Sequence, residues 1–232
     1  MENNFKGIVV ASKDLKEKDK QITIFSVEKG LINLILKGVK NQNAKLKYAK
    51  ELFTFGEYGA TAKNNFNIVT SCDVIENFYN LSQNADKYLE ACYIIGIIKL
   101  ICQYNQQDIK LFFELTNALK TLNYDTTQNN IVLCKFLVSI FEATGYKLSV
   151  EKCASCGEKF IGKKFLILET GEIVCNACKT SGSFEISNLL HTNLRLISNT
   201  DYSKLHTLKL NSLDECLNFL KNNFKYRFNK EI

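Results

Sequence analysis

Over the first third of the chain, apolar residues alternate with polar ones in short runs, a period of two that predicts strands. Five runs stand out: Phe5–Ser12, Ile22–Val27, Leu31–Leu36, Leu52–Tyr58 and Asn67–Ile75. In the second run, Ile22, Ile24 and Ser26 face one way, and Thr23, Phe25 and Val27 face the other. Glu28-Lys29-Gly30 reads as a hairpin turn, with Gly30 free to take positive φ. Five short strands in such a length predict a small barrel over residues 1–79.

After Asn80 the spacing lengthens to three and four residues, the helical period. Asn84 or Ser82 caps a helix running to about Gln103. Ile109, Phe112, Phe113, Thr116, Leu119 and Leu122 line one buried face of the next. Ile131–Phe141 is apolar nearly all round, which places that helix inside a bundle, and Gly145 follows as its stop. Near the end, Ser212 and Glu215 fit a capping box, and Leu213, Leu217, Leu220, Phe224 and Phe228 form the stripe of a last helix. The fold class is therefore α+β: a five-stranded barrel, then a helical domain over residues 80–232.

Between the bundle and the last helices lies the strongest chemical signal. Cys153 and Cys156 form one C-x-x-C knuckle and Cys175 and Cys178 a second, at zinc-site spacing. Two thiolates on a tight turn reach adjacent vertices of a tetrahedron, and a second turn supplies the other two. Gly157 lets the first knuckle turn, and Phe165–Leu168 with Gly171 reads as a small β-ribbon. The knuckles and the ribbon, within about residues 147–184, would hold one structural zinc ion, because four sulfurs leave no position for a catalytic water. A redox C-x-x-C pair, two disulfides and coincidence are the competing readings. The remaining cysteines, Cys72, Cys92, Cys102, Cys134 and Cys216, sit in apolar runs as small hydrophobes.

Charge changes the picture of the barrel. The net charge is +6, and Met1–Lys50 carries all of it, with 11 Lys against five acidic residues. Lys37, Lys40, Lys45, Lys47 and Lys50 fall between the third and fourth runs with no acid among them. Such ammonium groups suit phosphate contact without base readout; charge alone leaves an ordinary solvated loop equally open. Phe53, Phe55 and Tyr58 are candidate stacking platforms for bases, although alternation puts both phenylalanines on one face that a barrel interior would claim. Lys221, Lys225, Arg227 and Lys230 among Phe224, Tyr226 and Phe228 read either as a second basic surface or as a solvated helix face.

Other classes are disfavoured. The chain has two His, no G-x-x-x-x-G-K-[ST] loop, no G-x-G-x-x-G after a strand and no H-x-E beside the knuckles. An enzyme is therefore not expected. No apolar run approaches a membrane span, and M-E-N-N-F-K lacks a signal-peptide layout. Nine cysteines without an export signal point to a reducing, cytoplasmic location.

The order of these parts resembles the RecO recombination mediators of bacteria. The likeness rests on Gly7–Val9 with the charged turn Glu17–Lys20, on Thr23–Gly30 with Leu36–Gly38, on Thr144–Tyr146 leading into Lys152–Gly157, and on Gly171–Cys178. The resemblance implies an OB-type barrel, a helical domain with a zinc insertion, and work at the nucleoid. It implies binding of single- and double-stranded DNA, annealing of complementary strands, and RecA loading with RecR on strands coated by single-strand-binding protein. It places the zinc ligands at Cys153, Cys156, Cys175 and Cys178, and the DNA-contacting loop at Lys37, Lys40 and Lys45. Relatives often use Arg in such a loop; Lys here makes bidentate phosphate contact less expected. Two alternatives remain at this point: a zinc-ribbon thiol redox protein, and a zinc adaptor that touches only proteins.

Overall fold

The computed structural model describes residues 2–15, 17–41, 44–63, 66–127 and 129–232. The chain divides into two compact units, residues 1–119 and 120–232.

The first unit opens with β1 (Glu2–Asp14), β2 (Lys20–Ser26), β3 (Gly30–Leu36), β4 (Phe55–Lys63) and β5 (Phe66–Glu76). They close a barrel in the order β1-β2-β3-β5-β4. Among the described residues, β3–β5 is the one parallel strand pair of the barrel, the connectivity of an OB-type barrel. The interior is filled by Phe5, Val9, Ile22, Ile24, Leu34 and Tyr58. The other face of β2 is covered as well, because Phe25 and Phe55 both pack on Phe112 at 5.9 and 5.8 Å between ring centroids. Alternation in β2 therefore separates two buried faces rather than a wet one from a dry one.

The fourth strand starts later than its alternation predicts. Phe53 takes φ 69°, which ends any extended run before Phe55. Phe53 and Phe55 accordingly do not share a strand face. Gly30 holds the predicted positive φ, and a Cβ there would lie 1.9 Å from the carbonyl oxygen of Gln106. The β2–β3 turn thus needs glycine for both conformation and space.

Helix α1 (Tyr79–Gln83) is followed by α2 (Ala85–Ile101). The Asn84 side chain accepts the amide of Lys87, so Asn84, and not Ser82, is the cap. Helix α3 (Ile109–Tyr124) buries Phe112, Leu115 and Leu119 but exposes Ile109 and Phe113, so its apolar stripe is wider than its buried face.

In the second unit, α4 (Asn129–Ala143) is buried along almost its whole length and packs against α5 (Asn188–Asn199) and α6 (Leu213–Phe228). The capping box at Ser212 does not form. Ser212 is left-handed and its side chain caps nothing. Glu215 accepts instead from Ser187 Oγ, and Ser187 caps α5 through the Leu190 amide. A long-range donor, the Ser187 hydroxyl, has displaced the local amide as the partner of Glu215. Strands β6 (Lys164–Ile167), β7 (Glu172–Cys175) and β8 (Ser183–Ile186) form a sheet ordered β7-β6-β8. The β6–β7 ribbon matches the expected one; β8 is additional.

Candidate nucleic-acid interface and metal centre

The segment from β3 to β4 is held down by its apolar residues. Val39 and Ala49 are buried and Leu46 and Leu52 pack beside them on the barrel core. Thr54 Oγ1 donates to the Tyr48 carbonyl at 3.2 Å, fixing the far end. The intervening lysines are thereby left outward. Lys37, Lys45 and Lys47 are exposed, and none makes an ion pair among the described residues. Lys47 lies over the Tyr48 ring at 5.0 Å.

Lys40 and Lys50 differ. Lys40 pairs with Asp14 at 2.8 Å and Lys50 with Glu51 at 3.6 Å, and both are half-buried. They are less available for phosphate than expected. Asp14 also pairs with Lys20 at 3.1 Å. The Lys40 and then the Lys20 ammonium hold the Asp14 carboxyl below its ordinary range.

The β1–β2 turn joins this surface, which the sequence reading missed. The Lys40 amide donates to the Lys18 carbonyl at 3.2 Å, and the Gly38 amide to Asp19 Oδ1 at 2.8 Å. The exposed Lys13 and Lys18 thus belong to the same end of the barrel as the basic segment. The run Glu17–Lys20 carried that signal, but its mixed charge concealed it.

Phe53 and Tyr58 are buried, and Phe55 is half-buried against Phe112, so none of them is a stacking platform. Burial pushes the Tyr58 phenol up, and the half-buried Cys72 thiol beside it rises to about 11 for the same reason. At the C-terminus, Arg227 is not a surface cation. It donates to the carbonyls of Tyr146 and Gly171 and stacks on Phe141 and Tyr146. Lys225 pairs with Glu231.

The four knuckle cysteines converge. The Sγ atoms of Cys153, Cys156, Cys175 and Cys178 all lie within 4.8 Å of one another, with Cys156 and Cys175 at 4.0 Å. A tetrahedral zinc with bonds of ~2.3 Å needs sulfur–sulfur edges of ~3.8 Å, so the arrangement fits a metal ion. All nine cysteines are unbridged in this arrangement.

Local turns build this cluster. Gly157 takes φ +75° and donates to the Cys153 carbonyl, while the Cys153 amide donates to Glu158. The Cys175 amide donates to Cys153 Sγ at 3.3 Å. Burial pushes the Cys153 thiol up, but the amides of Cys156, Cys175 and Ser155 outweigh it and lower it to about 6. A bond from Ser155 lowers the Cys178 thiol, yet the neighbouring Cys175 and Cys156 outweigh that and push it to about 12. Several thiolates at such distances repel, so full ionisation requires a cation among them. Phe165 and Val174 bury the cluster's inner side.

No helix among the described residues is long and apolar enough to cross a membrane. Residues 1–78 match the family model described as Recombination protein O N terminal, and residues 82–230 match Recombination protein O C terminal. A curated protein of Clostridium novyi named DNA repair protein RecO is 25% identical over 207 residues, covering 89% of this chain and 81% of its own. Proteins of the same name from Clostridium perfringens and Acetivibrio thermocellus are 24% and 27% identical. They cover 88% and 90% of this chain, and 83% and 85% of their own.

Proposed function

The chain belongs to the RecO family of DNA-repair proteins, and from that membership we propose that it is a non-enzymatic recombination mediator that binds single- and double-stranded DNA. The observation that carries this reading is the outward set Lys37, Lys45 and Lys47, held on one end of the barrel by buried neighbours. Ammonium groups without carboxylate partners attract a polyanion, release its counterions and need no base identity. Two strands neutralised on one surface repel each other less, which favours annealing. Family likeness supports the finer parts: RecR as partner in loading RecA, single-strand-binding protein on the substrate, and a cytoplasmic location at the nucleoid.

The metal is zinc in this reading, one ion per chain, held by Cys153, Cys156, Cys175 and Cys178. Four thiolates suit zinc and close its shell, so the ion supplies folding energy rather than chemistry. Annealing of two complementary oligonucleotides, bare and coated with single-strand-binding protein, tests the function. Acceleration of both is expected. Equal rates with and without the protein on bare strands would reject it.

A further inference from the structure

We propose that a cleft beside the basic segment is a base-stacking subsite for single-stranded DNA, with Tyr48, Tyr79 and Tyr88 as its ring surfaces. This deepens the DNA-binding reading and rests on it. The cleft lies wholly within the first unit and encloses about 550 Å³, inside the ~300–1,000 Å³ range of ligand sites. Its walls carry all three tyrosines. Tyr48 is 62% exposed, Tyr79 61% and Tyr88 37%, whereas Tyr58 of the barrel core is fully buried. Exposed rings gathered at one cleft are unlike core aromatics.

The rings are held in place. Tyr88 meets Phe53 edge-on at 5.5 Å, the residue whose left-handed backbone ends the basic segment. The Tyr79 amide donates to Asn77 Oδ1 and Ser82 Oγ donates to the Tyr79 carbonyl, so the first turn of α1 is locked. Lys47 lies over one face of Tyr48.

Charge distinguishes the cleft from its surroundings. Lys20 and Lys50 are in its walls, but each has a carboxylate neighbour, Asp14 and Glu51 respectively, and Glu51 itself lines the cleft. The cleft is thus close to neutral, while Lys37, Lys45 and Lys47 on the same segment lack carboxylate partners among the described residues. That division matches one polynucleotide strand, with phosphates on the outer lysines and uncharged bases turned inward. Ser12 adds a hydroxyl in the wall with no partner among the described residues. Bases within a duplex are paired and stacked on each other, and cannot enter.

The test uses the full zinc-loaded chain, a dT oligonucleotide and a duplex of equal length. Tyr48→Ala with Tyr79→Ala should weaken oligonucleotide binding roughly tenfold or more, with duplex affinity kept within about twofold. The Tyr→Phe pair should restore binding. The chain has no Trp, so Tyr48→Trp provides a single probe that the oligonucleotide should quench and the duplex should not. That probe decides the matter should the alanine variant fail to fold. Equal losses on both DNAs, no loss, or no quenching would overturn the cleft while leaving the lysine surface standing. A wild-type chain that binds neither DNA would overturn the DNA-binding reading and the cleft with it.

Discussion

Asn223 Nδ2 on α6 donates to the carbonyl of Gly171 at 3.1 Å in a buried setting. Gly171 is the turn of the β6–β7 ribbon, whose second strand ends at Cys175. Arg227 Nη2 donates to the same carbonyl at 2.8 Å, and Arg227 Nε to Asn223 Oδ1. The last helix is thereby fastened to the sulfur module by one backbone oxygen and two side chains.

Gly171→Ala should destabilise the second unit. Gly171 has φ +66°, and an added Cβ would lie 2.6 Å from both Arg227 Nε and Asn223 Oδ1. Left-handed strain of ~1–3 kcal/mol adds to that clash. Asn223→Ala should cost less, ~1 kcal/mol, because Arg227 still serves the carbonyl. Urea unfolding of the metal-loaded chain checks the order; a Gly171→Ala protein as stable as the wild type would refute the fastening.

Metal removal should lower the melting temperature of the second unit and leave the barrel's affinity for DNA nearly unchanged, since the basic segment lies in residues 37–50 of the other unit. Cys156→Ser should reduce bound zinc well below one ion per chain. Elemental analysis and a melt with chelator measure both. Metal-free protein whose knuckles cycle readily as disulfides would show that the sulfur cluster serves redox chemistry.

Asp14→Asn should tighten DNA binding severalfold. The variant removes the carboxylate that engages Lys20 and Lys40 and raises the surface charge by one. Stability should change little, as is usual for exposed pairs. Unaltered affinity at low salt would mean that Lys40 and Lys20 do not contribute even when released.

His191 predicts a pH effect in the second unit. Burial first, and then the Lys164 ammonium, hold its imidazole below the ordinary value of 6.5. The unfolded chain therefore takes up a proton before the folded one as pH falls below that value, and stability declines on acidification. His191→Gln should flatten the decline between pH 7 and 5.5, read as melting temperature at each pH. An unchanged slope would show that other groups, the thiols among them, control it.

Local chemistry was legible where neighbours in sequence are also partners in space. Asn84 caps α2 through a residue three positions on, Gly30 makes its turn, and the knuckles close on themselves. Reading failed where a distant group won. Glu215 was taken by Ser187, and Phe53 was turned out of its strand by a backbone conformation that no alternation reveals. Asp14 is separated from Lys40 by a whole hairpin, so the pairing that weakens this lysine could not be seen. The tyrosines of the cleft were missed because Phe53, Phe55 and Tyr58 offered a tidier pattern. Tyrosine has a wettable hydroxyl on an apolar ring, and Tyr48 within the lysine run was the available hint.

The most direct test is the salt dependence of single-strand affinity for the wild type and for Lys37→Ala with Lys45→Ala and Lys47→Ala. Each lysine that neutralises a phosphate adds ~0.7 to the slope of log affinity against log salt on single strands. The triple variant should bind more weakly at low salt with a slope shallower by up to ~2. Parallel lines of equal affinity would contradict the account at its centre.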